Sequence, residues 1–148
     1  MTVCCDTSFL FSVYANDVHS RAALSELRRI GQAVHISVLN QYELENALRL
    51  ATFRKLFSTL GVQGFLAEFE SDIASGRLIL ATCNLATVVA EARRLSAVHT
   101  SKQGHRAFDV LHVAAALDFR ANKFLSFDVN QRRLARAEGL QVGPSDPY

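Results

Sequence analysis

The sequence predicts an α/β domain, a three-layer α/β/α arrangement around a short central parallel sheet of four or five strands with about seven helices. Three observations lead there. Short apolar runs at residues 2–5, 34–36, 77–81 and 123–128 alternate with longer segments of helical apolar spacing. Strands that alternate with helices are joined by right-handed crossovers, which makes the sheet parallel. The 148 residues are 49% hydrophobic and 20% charged, with seven Gly and two Pro. That is enough apolar material for a full core in one domain spanning residues 1–148.

Residues 2–5 are the first strand. Asp6-Thr7-Ser8 closes it and opens a helix over 9–14, and a cap on that helix is by itself a sufficient reason for Asp6. A second helix runs over 19–30 with Ala23, Leu24, Leu27 and Ile30 as its apolar positions, and Gly31 ends it. Residues 34–36 make a minimal strand. The third helix covers 37–54. Within it, Asn40-Gln-Tyr-Glu43 fits a capping box, which sets a structural role for Glu43 against a chemical one. Residues 55–76 are rich in Phe. Gly61 and Gly64 divide them into two helical pieces, and Phe65, Leu66, Phe69 and Ile73 give one apolar face.

Residues 77–81 form a strand, Asn84 caps a helix over 85–99, and 100–104 is a polar loop. The stretch from Gly104 to Leu117 is a helix almost without polar residues, and no Pro or Gly interrupts from Arg106 to Asn122. Asp109 near its start must be paired, ligated or at an edge, because an isolated buried carboxylate is very costly. The strand over 123–128 ends on a second acid, Asp128. A basic helix follows over 130–138 with Arg132, Arg133 and Arg136, and Gly139 stops it. Asp128-Val-Asn-Gln131 also fits a capping box. Residues 141–142 form a last short strand, and 143–148 are a loose tail.

Several classes are set aside. No apolar run approaches the roughly 20 residues of a membrane helix. Met1-Thr-Val-Cys-Cys-Asp6 lacks the basic region and apolar core of a signal peptide. Three Cys, an odd number without metal spacing, read as reduced thiols in a cytoplasmic protein. A formal net charge of +2 is too small to argue nucleic-acid binding alone.

In open α/β sheets the carboxyl ends of the strands form the ligand crevice. Asp6 and Asp128 lie at such ends, Glu43 follows strand two, and Asp109 starts a helix. Caps need not be acidic, since Ser, Thr and Asn serve equally well. Four acids at four such places therefore point to one shared edge. Crowded carboxylates repel one another and should have raised, coupled pKa values. Hard divalent cations relieve that repulsion, and Mg²⁺ or Mn²⁺ suit oxygen ligands.

The chain resembles the PIN-domain ribonucleases, in particular the VapC-like toxins of bacterial toxin–antitoxin pairs. The matching motifs are Cys5-Asp6-Thr7-Ser8, Tyr42-Glu43-Leu44, Phe108-Asp-Val-Leu-His-Val-Ala-Ala-Ala116 and Leu125-Ser-Phe-Asp128, in order and across essentially the whole chain. Ser126 departs slightly from the family, where a Thr is common. The resemblance implies a PIN-like fold and a metal-dependent endoribonuclease. Its metal and catalytic acids would be Asp6, Glu43, Asp109 and Asp128, gathered within about one coordination shell, with Mg²⁺ or Mn²⁺ as cofactor. Thr7, Ser8 and Ser126 would orient ligands or waters by hydrogen bonds. RNA is the implied substrate, and the implied partners are a cognate antitoxin and a second copy of the chain. A PIN nuclease with an RNA-processing role outside toxin–antitoxin systems fits the same motifs.

Other residues have simpler readings. His112 reads as a core histidine bonded to backbone, Asp118 as a surface residue, and Glu45 as facing away from Glu43. Lys102, His105 and Arg106 precede the central helix and could meet RNA phosphates. Of the 14 acidic residues, setting the four site acids aside leaves ten against 16 basic ones, a formal surplus of six that suits a polyanion. A phosphorylated-Asp domain would require an Asp-x-Asp that does not follow Asp6. A non-enzymatic interaction module would have its acids pointing to different places. Finally, Phe53, Leu56, Phe57, Leu60, Phe65, Leu66 and Phe69 cannot all turn inward from one segment. Some should form an exposed apolar patch, the expected seat of dimerisation and antitoxin binding.

Overall fold

The computed structural model describes residues 1–145 and shows five parallel strands in the order β3-β2-β1-β4-β5, flanked by helices. The strands are β1 Val3–Cys5, β2 Val34–Ile36, β3 Leu78–Leu80, β4 Lys123–Leu125 and β5 Gln141–Gly143. Between them run α1 Thr7–Tyr14, α2 Ser20–Ile30, α3 Val38–Phe53, α4 Thr59–Ala74, α5 Leu85–Leu95, the short turn α6 Ser101–Gln103, α7 Ala107–Asp118 and α8 Val129–Ala137. The chain builds outward from β1 to β3, then returns to place β4 on the other side of β1. That reversal creates a switch point between β1 and β4, where adjacent connections leave on opposite faces and open a crevice.

Two cores cover the two faces, and strand alternation sorts residues between them. Val3 and Cys5 of β1 and Leu125 of β4 join Phe9, Leu10, Leu44, Leu48 and Phe69 beneath α1–α4. Cys4 and Phe124 point the other way, to Val88, Leu95, Val113 and Leu134 of α5, α7 and α8. The small side chains Ala114, Ala115 and Ala116, all buried, let α7 lie close on its neighbours. The three thiols are free, and burial pushes Cys4 up to about 12, so it is inert packing.

Several boundaries differ from those the sequence suggests. Residues 59–74 form one helix rather than two: Ser58 caps it by accepting the Gly61 N–H at 3.0 Å, and packing of Val62 and Phe69 outweighs the glycine propensity cost. Residues 100–103 are not a polar loop. A π-turn, Ser96–Thr100, and α6 continue α5 as far as Gly104, whose φ of 70° ends the run. The chain after residue 142 is not loose where it is described. Gly143 completes β5, and Pro144 is buried, its carbonyl accepting from Arg132 Nη2 at 2.7 Å. The remainder of the expected tail, 146–148, lies outside the described residues.

Gly143 is required by its neighbours. A Cβ there would lie 2.7 Å from Glu26 Oε1 and 2.7 Å from Lys123 Cε. These belong to a buried ion pair: Lys123 Nζ donates to Glu26 Oε1 at 2.8 Å, and Arg29 donates to both carboxylate oxygens at 2.9 and 2.7 Å. The Arg29 bonds, against the opposing effect of burial and with help from Lys123, hold the Glu26 carboxyl down to about 2. Its unfolded value is ~4.3. The folded value is the lower one, so this contribution is present above the unfolded value and is lost as pH falls through about 2. Unfolding followed between these limits should therefore steepen in wild type relative to Glu26→Gln. Parallel pH curves would remove the pair from the acid response.

Candidate active site

The switch point between β1 and β4 is where the expected acids assemble. Asp6 follows β1, Asp128 follows β4, Glu43 projects from the second turn of α3, and Asp109 from the first turn of α7. All four line one cavity of about 440 Å³.

Asp6 is 2% exposed and serves two ends at once. Its Oδ1 caps α1 by accepting the Phe9 N–H at 2.8 Å, so the helix starts at Thr7 rather than at residue 9. Its Oδ2 accepts the hydroxyls of Ser8 at 2.7 Å and Ser126 at 2.6 Å. Capping and cavity lining are therefore one role, because a carboxylate has two oxygens. Burial raises the Asp6 carboxyl above its ordinary value, although the two serines and the Phe9 N–H work against it.

Asp128 repeats the device. Its Oδ1 caps α8 by accepting the Gln131 N–H at 2.8 Å. The box is not reciprocal: the Asp128 N–H goes to Ser126 Oγ at 3.0 Å, and Gln131 Nε2 instead holds the Asp109 carbonyl at 3.1 Å. Ser126 thereby ties Asp6 to Asp128. Glu43 has no capping role. The α3 box is formed by Ser37 and Asn40, one turn earlier.

As the side chains stand, no three carboxylates, histidines or cysteines among the described residues are gathered within reach of one ion, unlike the coordination-shell spacing expected. They are engaged instead by a cation and hydrogen bonds of the chain itself. Arg106 Nε donates to Asp109 Oδ2 at 2.9 Å, and its Nη2 lies 3.8 Å from Asp128 Oδ2. Glu43 Oε1 is 2.9 Å from His112 Nε2. Nor is every carboxyl raised. Burial opposes the charge on Glu43, but hydrogen bonds from His112 and Thr7 and the nearby Arg106 charge outweigh it and lower its pKa.

The remaining expected contacts divide. Arg106 borders the cavity with its side chain 79% exposed. Lys102 belongs to α6, before the turn at Gly104, and is not among the residues that line the acid cavity. His105 is buried against a different groove, between α5 and α7, with its Nε2 at 2.9 Å from Gln103 Oε1. Asp118 is exposed, and Glu45 pairs with Arg49 at 3.5 Å.

Reading His112 as a core residue bonded to backbone misses its setting. It is buried, yet it borders the cavity and contacts the side chains of Thr7, Asn40 and Glu43. Asn40 and Gln131 were also missed as parts of the site. The signal for Asn40 was present in Ser37-Val-Leu-Asn40, a polar pair at box spacing directly after a strand.

A parallel α/β/α sheet in the order 3-2-1-4-5 with acidic residues around its switch point defines a PIN-like class of protein. The comparison with known families agrees: residues 3–137 match the PIN domain, and the chain belongs to that family. Among the solved structures that share its fold are the following two. One, from Rickettsia felis, is VapBC2 bound to a DNA fragment from their promoter; it matches with a TM-score of 0.69 and 16% identity, over 97% of this chain and 98% of that one. The other is FitAcB from Neisseria gonorrhoeae, with a TM-score of 0.65 and 17% identity over 97% of each chain. No curated protein matches the sequence.

Proposed function

We propose that this chain is a metal-dependent endoribonuclease that cleaves RNA phosphodiester bonds, and the toxin of a toxin–antitoxin pair. The supporting observation is that Asp6, Glu43, Asp109 and Asp128, from four separate elements, all border one cavity at the β1–β4 switch point. Their donor atoms are carboxylate oxygens, hard ligands whose chemistry fits Mg²⁺ or Mn²⁺. These four residues would hold the ion, which when bound supplies an activated water and charge stabilisation for phosphodiester hydrolysis. Ser8 and Ser126 fix the Asp6 carboxylate by donating to it. Arg106, reaching solvent beside Asp109 and Asp128, is placed to exchange a carboxylate for a backbone phosphate, a planar fork being suited to either.

Cleavage of a defined RNA with Mn²⁺ or Mg²⁺ tests the reading. Cleavage should stop with excess chelator, return with added metal, and leave 5′-phosphate and 3′-hydroxyl ends. Metal-independent cleavage would overturn the metal role, and no cleavage of any RNA would overturn the nuclease.

The partner reading is a homodimer that binds an antitoxin through an apolar surface. Phe53, Leu56 and Leu60 lie at the α3–α4 corner, 82%, 66% and 78% exposed. Phe57 and Phe65, by contrast, pack against the core and on each other, with ring centroids 5.3 Å apart. The surface variants are thus Phe53→Ser and Leu60→Ser, not changes at Phe57 or Phe65. Each buried side chain contributes about 1.5–3 kcal/mol, so the double variant should weaken association by roughly 100-fold or more while its Tm holds. Light scattering measures the dimer, and co-purification with the antitoxin measures the complex. If both survive intact, this corner is not the interface.

A further inference from the structure

We propose that His112 is a positioning residue for Glu43: Asn40 fixes its ring as the Nε2–H tautomer, and that N–H holds the Glu43 carboxylate at the cavity wall. The inference rests on the metal-nuclease reading only for what Glu43 then does, because the hydrogen-bond pattern stands without it.

The backbone N–H of Ser37 can only donate. The Ser37 N–H points to Asn40 Oδ1 at 3.0 Å, so the oxygen of that amide is identified. The amide nitrogen is then the atom 3.3 Å from the Cys5 carbonyl, an obligate acceptor. Both ends of Asn40 are therefore fixed by backbone groups of opposite kind, which settles its orientation. Its nitrogen also lies 3.3 Å from His112 Nδ1. An amide nitrogen has no acceptor capacity, so Nδ1 must accept and carries no proton. The ring proton is on Nε2. That atom lies 2.9 Å from Glu43 Oε1 and 3.1 Å from Thr7 Oγ1, both able to accept. A ring 2% exposed cannot turn to satisfy itself in water.

The consequence is mechanical. Asn40 is on the first turn of α3, Glu43 on the next turn, and His112 on α7, with Cys5 and Thr7 at the end of β1. A fixed donor from α7 thus sets the direction of a carboxylate on α3 relative to β1. Without it, the half-exposed Glu43 side chain would sample several rotamers, and its share in a common ligand set would become intermittent.

Two measurements decide the proposal. Long-range ¹H–¹⁵N NMR of the imidazole rings in the whole chain, without metal, should show His112 as the Nε2–H form. A Nδ1–H pattern, or protons on both nitrogens, would overturn the assignment. Mn²⁺ binding is then titrated calorimetrically into wild type, His112→Leu, His112→Gln, Glu43→Gln and the double variant His112→Leu/Glu43→Gln. His112→Leu should weaken Mn²⁺ by about 10–100-fold, the usual cost of losing a group that orients a ligand. His112→Gln retains an N–H donor and should recover most of that loss. The double variant should bind no more weakly than Glu43→Gln alone, since both changes remove one effect. Additive losses, or no rescue by Gln, would mean that His112 does not act through Glu43. If His112→Leu fails to fold, the Gln variant and the tautomer decide. Absence of RNA cleavage by wild type would defeat the nuclease reading and leave these outcomes unaffected.

Discussion

Asp6→Asn should abolish RNA cleavage, by more than about 100-fold, while leaving the protein as stable as before or more so. Two physical effects separate here. The carboxylate is nearly sealed from water, and burial raises its pKa. A group whose folded pKa is raised stabilises the fold only below its unfolded value, and that contribution is lost as pH rises through the folded value. At neutral pH the ionised form is therefore the costly one. Asn removes the charge and keeps the shape.

Its amide oxygen can still cap the Phe9 N–H, since Asn caps helices as well as Asp does. The hydroxyls of Ser8 and Ser126 can rotate to accept from the new NH₂ group. The activity loss should exceed the 10–100-fold typical of residues that only orient a ligand, because a proposed ligand itself is neutralised. Thermal unfolding and single-turnover cleavage, read on the same preparation, check both halves. An active variant would remove Asp6 from the chemistry. An inactive variant with a lower Tm would make the cap its main role.

Arg132→Met should destabilise the protein by about 2–4 kcal/mol, since two buried carbonyls each lose a donor at a cost of about 1–3 kcal/mol. Arg132 is 2% exposed and the largest of the fully buried side chains. Its Nη1 donates to the Ser126 carbonyl at 2.8 Å and its Nη2 to the Pro144 carbonyl at 2.7 Å. It thereby clamps the loop that follows β4 to the chain that follows β5. Met fills comparable space but cannot donate, so packing is largely kept while both hydrogen bonds are lost. Chemical denaturation measures it. A change under about 0.5 kcal/mol, the range of ordinary surface substitutions, would show that these carbonyls find other donors. The same loop carries Ser126 and Asp128, so the variant should also lose activity in proportion to how far the loop shifts.

The positions of the strands and the four acids were legible because both signals are local. The runs at Val3–Cys5 and Lys123–Leu125 are short and bounded by turn or capping residues, which favours β, and an acid that follows such a run lies towards the strand's carboxyl end. The order of the motifs then carried the family. Helix continuity was less legible. Gly61 and Gly64 argue for a break on propensity alone, but Val62 and Phe69 gain more by burial on one continuous helix than the glycines lose. The polar composition of residues 100–103 likewise conceals a helical run held by the π-turn before it.

What the sequence by itself determined is the type and location of each chemical group: carboxylates after β1 and β4 and at the starts of α3 and α7, on a parallel sheet. What only the tertiary structure decided is what each group faces. His112, Asn40 and Glu43 are 72 and 69 residues apart in the pairs that bond. Arg132 reads only as part of a basic helix, yet it is buried, and two carbonyls from other segments accept from it. Arg106 stands between Asp109 and Asp128, and His105 next to it turns to another groove. Partners of this kind are set by how helices pack across the sheet, and a buried polar group is stable only where such packing brings its donor or acceptor.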